Sequence, residues 1–178
     1  PCRSAWRPSA YAGGSPGSDD GGLVVELGSV VINELLANSQ GSGPDWIELR
    51  NTTSQSIDIG GWYLSDDNDD LTKYRIAEGT VIAAGGYLVF YESLHFDNEN
   101  DPGCRVPFGL SKDGETVYLH SGEAGALTGY SEQQEFGASE AGVSLGRWES
   151  SDGSCVFVAL REPTPGAANA EPADSTGP

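Results

Sequence analysis

VINELLANSQGSGPDWIELRNTTSQSIDIGGWYLSDD, residues Val31 to Asp67, decides how this chain is read. Three short apolar-alternating runs are separated by turn residues. Val31-Ile32-Asn33-Glu34-Leu35-Leu36 sets apolar side chains around a polar pair. In Trp46-Ile47-Glu48-Leu49-Arg50-Asn51, an extended backbone puts Ile47 and Leu49 on one face and Glu48 and Arg50 on the other. Ile57-Asp58-Ile59 and Trp62-Tyr63-Leu64 repeat the alternation on either side of Gly60-Gly61. A period of two, carried by β-branched and aromatic residues, marks half-buried strands. The runs therefore predict neighbouring antiparallel strands of a sheet with one dry face.

The same pattern continues outward from this stretch. Leu23-Val24-Val25-Glu26-Leu27 reads as a first strand or a lead-in. Lys73-Tyr74-Arg75-Ile76, Thr80-Val81-Ile82 and Tyr87-Leu88-Val89-Phe90-Tyr91 follow, with turns at Glu78-Gly79 and Gly85-Gly86. The Tyr87–Tyr91 run is continuously apolar, which predicts cover on both faces or a place at a crowded sheet centre. Residues 92–107 lack periodicity and read as a long loop. Phe108-Gly109-Leu110 and Thr116–His120 flank an Asp113-Gly114 pair suited to a hairpin turn. Ala126–Tyr130 and Gln133–Phe136 are weaker strand candidates, and Val143–Trp148 and Cys155–Leu160 close the pattern. No helical periodicity emerges, and many short strands with Gly-rich turns predict an all-β antiparallel sandwich or barrel.

The 178 residues suffice for one domain with a sizeable core. Residues 1–22 are rich in Gly, Ser, Pro and Asp and are expected to form a flexible linker or the remnant of a preceding module. The domain proper is expected over residues 23–165. Residues 166–178 are expected to be a flexible C-terminal linker, and the linker-like composition begins at Pro163. The absence of Met and the start at Pro1 point to a fragment of a longer polypeptide. No apolar run reaches the roughly 20 residues that span a bilayer, so membrane insertion is not expected.

With 9 Lys+Arg against 27 Asp+Glu, the formal net charge is −18. Such a field repels phosphate backbones and argues against nucleic-acid binding. It suits an extracellular or salty setting. Of the three cysteines, Cys104 and Cys155 lack metal-ligand spacing. In an oxidising compartment a Cys104–Cys155 bridge would stabilise the fold by about 4 kcal/mol in the chain-entropy model, leaving Cys2 odd. The alternative is two buried free thiols.

Four features bear on chemistry. Gly142-Val143-Ser144-Leu145-Gly146 matches the G-x-S-x-G nucleophile elbow, but that motif requires a strand-to-helix turn with its histidine downstream. Here both histidines, His95 and His120, precede Ser144, so no catalytic residue is assigned. Asp66, Asp67, Asn68, Asp69 and Asp70 form the candidate metal site, with calcium as the one cofactor considered, since calcium takes 6–8 oxygen ligands. The EF-hand pattern fails there, and the bland reading is a solvated turn. A second acidic run, Asp97 to Asp101, fails the same pattern. Tyr91, Phe96, Tyr130 and Trp148 could make a carbohydrate platform, although core packing is the default for each. Asn51-Thr52-Thr53 is a formal glycosylation acceptor.

Ile32-Asn33-Glu34, Asp45–Asn51, Ile57–Asp66, Lys73–Ile76, Gly79–Ile82 and the strand from Gly86 together resemble the lamin tail domain, in the branch found within large secreted bacterial proteins. The resemblance covers roughly residues 29–165. It implies an immunoglobulin-like β-sandwich without catalytic residues, in which Trp46 and Trp62 fill the gap between two sheets about 10 Å apart. The Gly60-Gly61 pair would bend the chain so that Ile59 and Trp62 both reach the core. Glu34 and Glu48 would need hydrogen-bond partners if buried. The implied function is a noncatalytic interaction or adhesion module of a larger extracellular or cell-surface protein. Its partners would be a protein or polysaccharide ligand and other domains of the same polypeptide. The alternative is a structural spacer, stiffened by calcium; a small hydrolase ranks behind both.

Overall fold

A computed structural model describes residues 25–41 and 43–173. All regular structure among them is β. Eleven strands form two main antiparallel sheets and one short pair. The five-stranded sheet has the order β11 (Cys155–Ala159), β10 (Leu145–Glu149), β1 (Val30–Leu36), β2 (Trp46–Asn51), β7 (Tyr87–Tyr91). The four-stranded sheet runs β5 (Tyr74–Arg75), β4 (Tyr63–Ser65), β8 (Gly114–Glu123), β9 (Ala126–Gly137). The pair is β3 (Ile57–Asp58) with β6 (Val81–Ile82). This is the expected immunoglobulin-like sandwich. Its core joins Ile32, Leu35, Ile47, Leu49 and Phe90 of one sheet to Trp62, Leu64, Val117, Leu119 and Phe136 from the other side.

The quoted stretch folds as its alternation requires. Ile47 and Leu49 are fully buried in the core, and Arg50 is exposed. Gly61 (φ 80°) closes a turn in which Trp62 N donates to Ile59 O at 3.1 Å, and both Ile59 and Trp62 reach the core. A side chain at Gly60 would place a Cβ 2.6 Å from the Gly79 nitrogen, so that position tolerates nothing larger. Trp46 departs from expectation. It is buried, but it lies outside the core cluster, because strand alternation turns it to the same outer face as Glu48.

The crowded centre of the sheet is β1, buried at all seven positions; the apolar Tyr87–Tyr91 run is an edge strand instead. Among the described residues no further strand joins that edge, and two side chains pack on its tyrosine rings. The Arg50 guanidinium lies 5.4 Å from the Tyr87 ring, and His95 stacks on Tyr91. Phe108-Gly109-Leu110 is not a strand, so Asp113-Gly114 opens β8 without making a hairpin. The hairpin lies at the far end of β8, at Ala124-Gly125, where Ala124 itself adopts φ 49°. The two weak strand candidates after it merge into the single 12-residue β9. Val25 and Leu27 are a lead-in that packs against the core, not a strand, and Leu23 and Val24 lie outside the described residues.

The cysteine pairing also needs correction. Cys104 is a free thiol, whereas Cys155 is disulfide-bonded, so the two are not bridged to each other. Cys104 is fixed elsewhere: its backbone bridges to Tyr74, and its thiol donates to Phe96 O at 3.5 Å. Burial, reinforced by Asp97, Asp101 and Glu99, pushes that thiol's pKa up and keeps it protonated. Cys2 and the segment 1–22 lie outside the described residues.

Candidate functional site

The side chains of Asp66 to Asp70 do not converge on a shared centre. Asp66 Oδ1 receives the Lys73 ammonium at 2.7 Å, and Asp67 Oδ2 lies 3.5 Å from the same nitrogen. Asp67 Oδ1 accepts the Asp69 backbone N–H at 2.9 Å. Asp70 Oδ1 accepts both the backbone N–H and the hydroxyl of Thr72. Ser65 Oγ donates to Asp70 O at 2.6 Å and accepts from Asp67 N at 3.0 Å. Asn68 and Asp69 face solvent. The Asp69 N–H, with Lys73, holds the Asp67 carboxyl below its ordinary pKa. For Lys73, burial works to lower the pKa, and the two aspartates outweigh it. Among the described residues no three His, Cys, Asp or Glu side chains form a group that could hold a metal ion. Asp97–Asp101 likewise makes turn contacts, with Asn98 accepting from Asn100 N and Asp101 from Gly103 N.

Ser144 is fully buried, and its hydroxyl has no hydrogen-bond partner. His95 instead accepts from Tyr91 N through Nδ1, at 2.9 Å, and packs on Phe90 and Tyr91. The glycines of the motif have structural roles. Gly142 takes φ 78° in a turn, and a Cβ at Gly146 would come within 2.7 Å of both Asn169 and Leu160. Of the aromatic candidates, Phe96 and Tyr130 belong to the core, while Tyr91 and Trp148 are half-buried on different strands. The Asn51 amide is buried and donates to the carbonyls of Gln55, Ile82 and Ala83, which leaves it no role as a glycosylation acceptor.

Two constellations escaped the sequence reading. On the outer face of β1 and β2, Glu34 and Glu48 are cross-strand neighbours, each 0% exposed. Residues 163–173, read as linker, cover them. Thr164 donates to Glu34 through its backbone N–H (2.9 Å) and its hydroxyl (2.6 Å). Gly166 N donates to Glu48 Oε2 at 2.5 Å, and Asn33 Nδ2 to Oε1 at 2.7 Å. Asn169 pairs reciprocally with Asn33 and also donates to Arg147 O at 2.9 Å. The segment is closed at its base by the Leu160–Pro172 bridge and by Ala173 N donating to Ala159 O. Loss of solvent, with Glu34 alongside, pushes the Glu48 carboxyl up to about 7, against the lowering effects of Gly166, Asn33 and Arg50. The demand for partners on Glu34 and Glu48 was readable from their types, but their source was not.

The second constellation lies where the sheets part. Past Leu35↔Leu145 and Glu34↔Gly146, β10 diverges from β1. Tyr130 of β9 and Arg147 of β10 take over the freed backbone groups. The Tyr130 hydroxyl bonds both N and O of Val30, and Arg147 Nε donates to Ile32 O at 2.7 Å. Arg147 also pairs with Glu132 of β9, tying the sheets together. Beside this tie is a cleft of about 340 Å³ lined by Leu27, Gly28, Val31, Ser131, Gln133 and the ion pair.

The family profile described as Lamin Tail Domain matches residues 26–133, more than half of the chain. The chain belongs to the lamin tail domain family. No curated protein matches it. This lamin tail domain is an immunoglobulin-like module of a family that is noncatalytic in general, in keeping with a Ser144 that contacts no base. Its signature residues are structural by geometry. Asp45 accepts from Ser39 N, Ile47 and Leu49 fill the core, Glu48 holds the C-terminal segment, and Asn51 knots two turns. No helix among the described residues is long and apolar enough to cross a membrane.

Proposed function

We propose that this lamin tail domain is an interaction module of a larger extracellular or cell-surface bacterial protein, and that it grips an extended protein segment along β9. The observation that carries this reading is the free edge of β9. Its twelve residues run beside β8, nine of them in register, and pair with no strand, among the described residues, on the other side. Such an edge offers backbone donors and acceptors to an added strand. The adjoining cleft gives that strand's side chains an apolar wall at Leu27 and Val31. Arg147 is already committed to Glu132, and the chain carries −18 overall, so charge complementarity favours a basic segment.

Selection from a library of displayed 12-residue peptides tests the reading, with a glycan array as the second arm. Supporting peptides are rich in Lys and Arg and shift the amide resonances of Ser131, Glu132 and Gln133. They lose binding in Ser131→Lys/Gln133→Lys, a change at two exposed positions. Binding to glycans alone, with β9 unperturbed, transfers the role to polysaccharide; silence in both arms leaves the spacer. The spacer reading draws on the C-terminal segment, which is pinned to the sheet as far as Ala173 and so fixes the direction in which the chain departs. Calcium at Asp66–Asp70 belongs to that second reading as a stiffener.

A further inference from the structure

The outer face of β1 and β2 presents an unusual burial problem. Glu34 and Glu48 sit directly opposite each other, where like charges destabilise a sheet, and both are sealed from water. What seals them is not a strand but a returning loop, residues 161–171, held at one end by Arg161 N to Glu171 O (2.9 Å) and Leu160–Pro172. The loop's side-chain attachments to β1, β2 and β10, among the described residues, are local. They are Thr164 on Glu34, Gly166 on Glu48, and Asn169 on Asn33 and Arg147. Five of these bonds terminate on the two carboxylates or on the asparagine that bonds Glu48. The fit depends on close approach, since Gly146 leaves no room for a Cβ beneath Asn169.

We propose that residues 163–169 form a pH-gated latch, closed over Glu34 and Glu48 while one of the pair holds a proton and opening when both ionise. The charged groups facing Glu48 are Glu34 on β1 and Arg50 on β2. Asn33 and Gly166 are neutral partners, the β7 neighbour is Val89, and the Arg161–Glu171 pair at the base of the loop is solvent-exposed. Arg50 lies over Tyr87 at the surface, so among the described residues Glu48 has no buried counter-ion. Opening gives the carboxylates back to water at the cost of a few hydrogen bonds, while the strand ladder beneath stays intact. The direction of the gate follows from burial, which raises the Glu48 carboxyl from 4.5 to about 7 in the closed state. The closed latch therefore takes up a proton as pH falls through that window, and loses ground as pH rises through it. The device sets how firmly the C-terminal connection is held, and it operates near neutral pH.

Native-state hydrogen exchange at pH 5 and pH 8, corrected for intrinsic rates, reads the latch through the amides of Thr164 and Gly166. Their protection is expected to fall about 100-fold from pH 5 to pH 8, given the size of the carboxyl shift. Ile32 and Leu49 in the ladder should change far less. In Glu48→Gln, which keeps an acceptor and cannot ionise, the pH dependence of Thr164 and Gly166 should vanish. Equal protection at both pH values overturns the latch. So does loss of protection in the ladder together with the loop, because that is global unfolding. Should Glu48→Gln not fold, the carboxyl ¹³C titration of the wild type decides: a midpoint near 7 for Glu48 supports the latch, and one near 4.5 rejects it.

Discussion

The Asp66–Asp70 turn and the Glu34–Glu48 pair use the same functional group in opposite surroundings. In the turn, each described carboxylate contact is local: a neighbouring N–H, a Thr72 hydroxyl, or the Lys73 ammonium. The Lys73–Asp66 pair is largely shielded, and water screens the rest of the turn, where Asn68 and Asp69 are exposed. In the pair, both carboxylates are shut off from solvent, and no buried cation faces them among the described residues. Apart from Asn33, the partners come from a segment 118 or more positions later in the chain, as Gly166 is from Glu48. A count of acidic residues draws attention to the turn, and burial draws it to the pair. Charge density along a sequence is therefore a poor guide to where charge matters.

The comparison breaks most sharply at Glu48. Glu48→Ala strips the acceptor from Asn33 and Gly166 and leaves a void under the loop. Urea unfolding should register a loss of about 3 kcal/mol, against less than about 0.5 kcal/mol for Asp69→Ala. Equal effects at the two sites would erase the distinction.

Next in size is the pH dependence. Glu48 binds its proton more tightly folded (about 7) than unfolded (4.5). Its contribution is thus complete below about pH 4.5 and is lost as pH rises through about 7. Because opening the loop returns both carboxylates to water while the ladder holds, the global loss by pH 8 should stay below about 3 kcal/mol. Burial raises Glu92, Glu115 and Glu132 in the same direction. Glu48→Gln should therefore flatten the stability profile in part and leave a residual slope; an unchanged profile would show that Glu48 is ordinary.

Gly146→Ala should cost about 1–2 kcal/mol by driving a Cβ into Asn169 and Leu160, and should loosen Thr164 and Gly166 more than the ladder. Ser144→Ala should be neutral or slightly stabilising by thermal unfolding, since it removes a buried hydroxyl that has no partner. A marked destabilisation would reveal a bond that Ser144 makes.

The smallest effect concerns calcium at the turn. Lys73 is the cation already in place, so any calcium-dependent rise in midpoint should be larger in Lys73→Ala than in the wild type and absent in Asp66→Ala. No rise in any of the three, in millimolar calcium against EDTA, would remove calcium from the turn.

By itself the sequence determined the class of fold and the facing of its best strands. Alternation is a local property: Ile47 and Leu49 must share a face whatever they meet, and Gly60-Gly61 must turn. Those readings hold in the structure, together with the family. What a strand lies beside is not local. The Tyr87–Tyr91 run is as apolar as a central strand, yet it sits at an edge, with Arg50 and His95 packed on its tyrosine rings. Cys155 turned out to be bonded and Cys104 free, which no spacing argument could settle, since pairing depends on approach in space. The sharpest divide falls at Pro163–Asn169. Its composition is that of a linker, with little apolar surface of its own to bury. Only the tertiary structure supplies a reason to dock: two buried carboxylates that require N–H and O–H donors, and a segment whose backbone and small polar side chains can provide them.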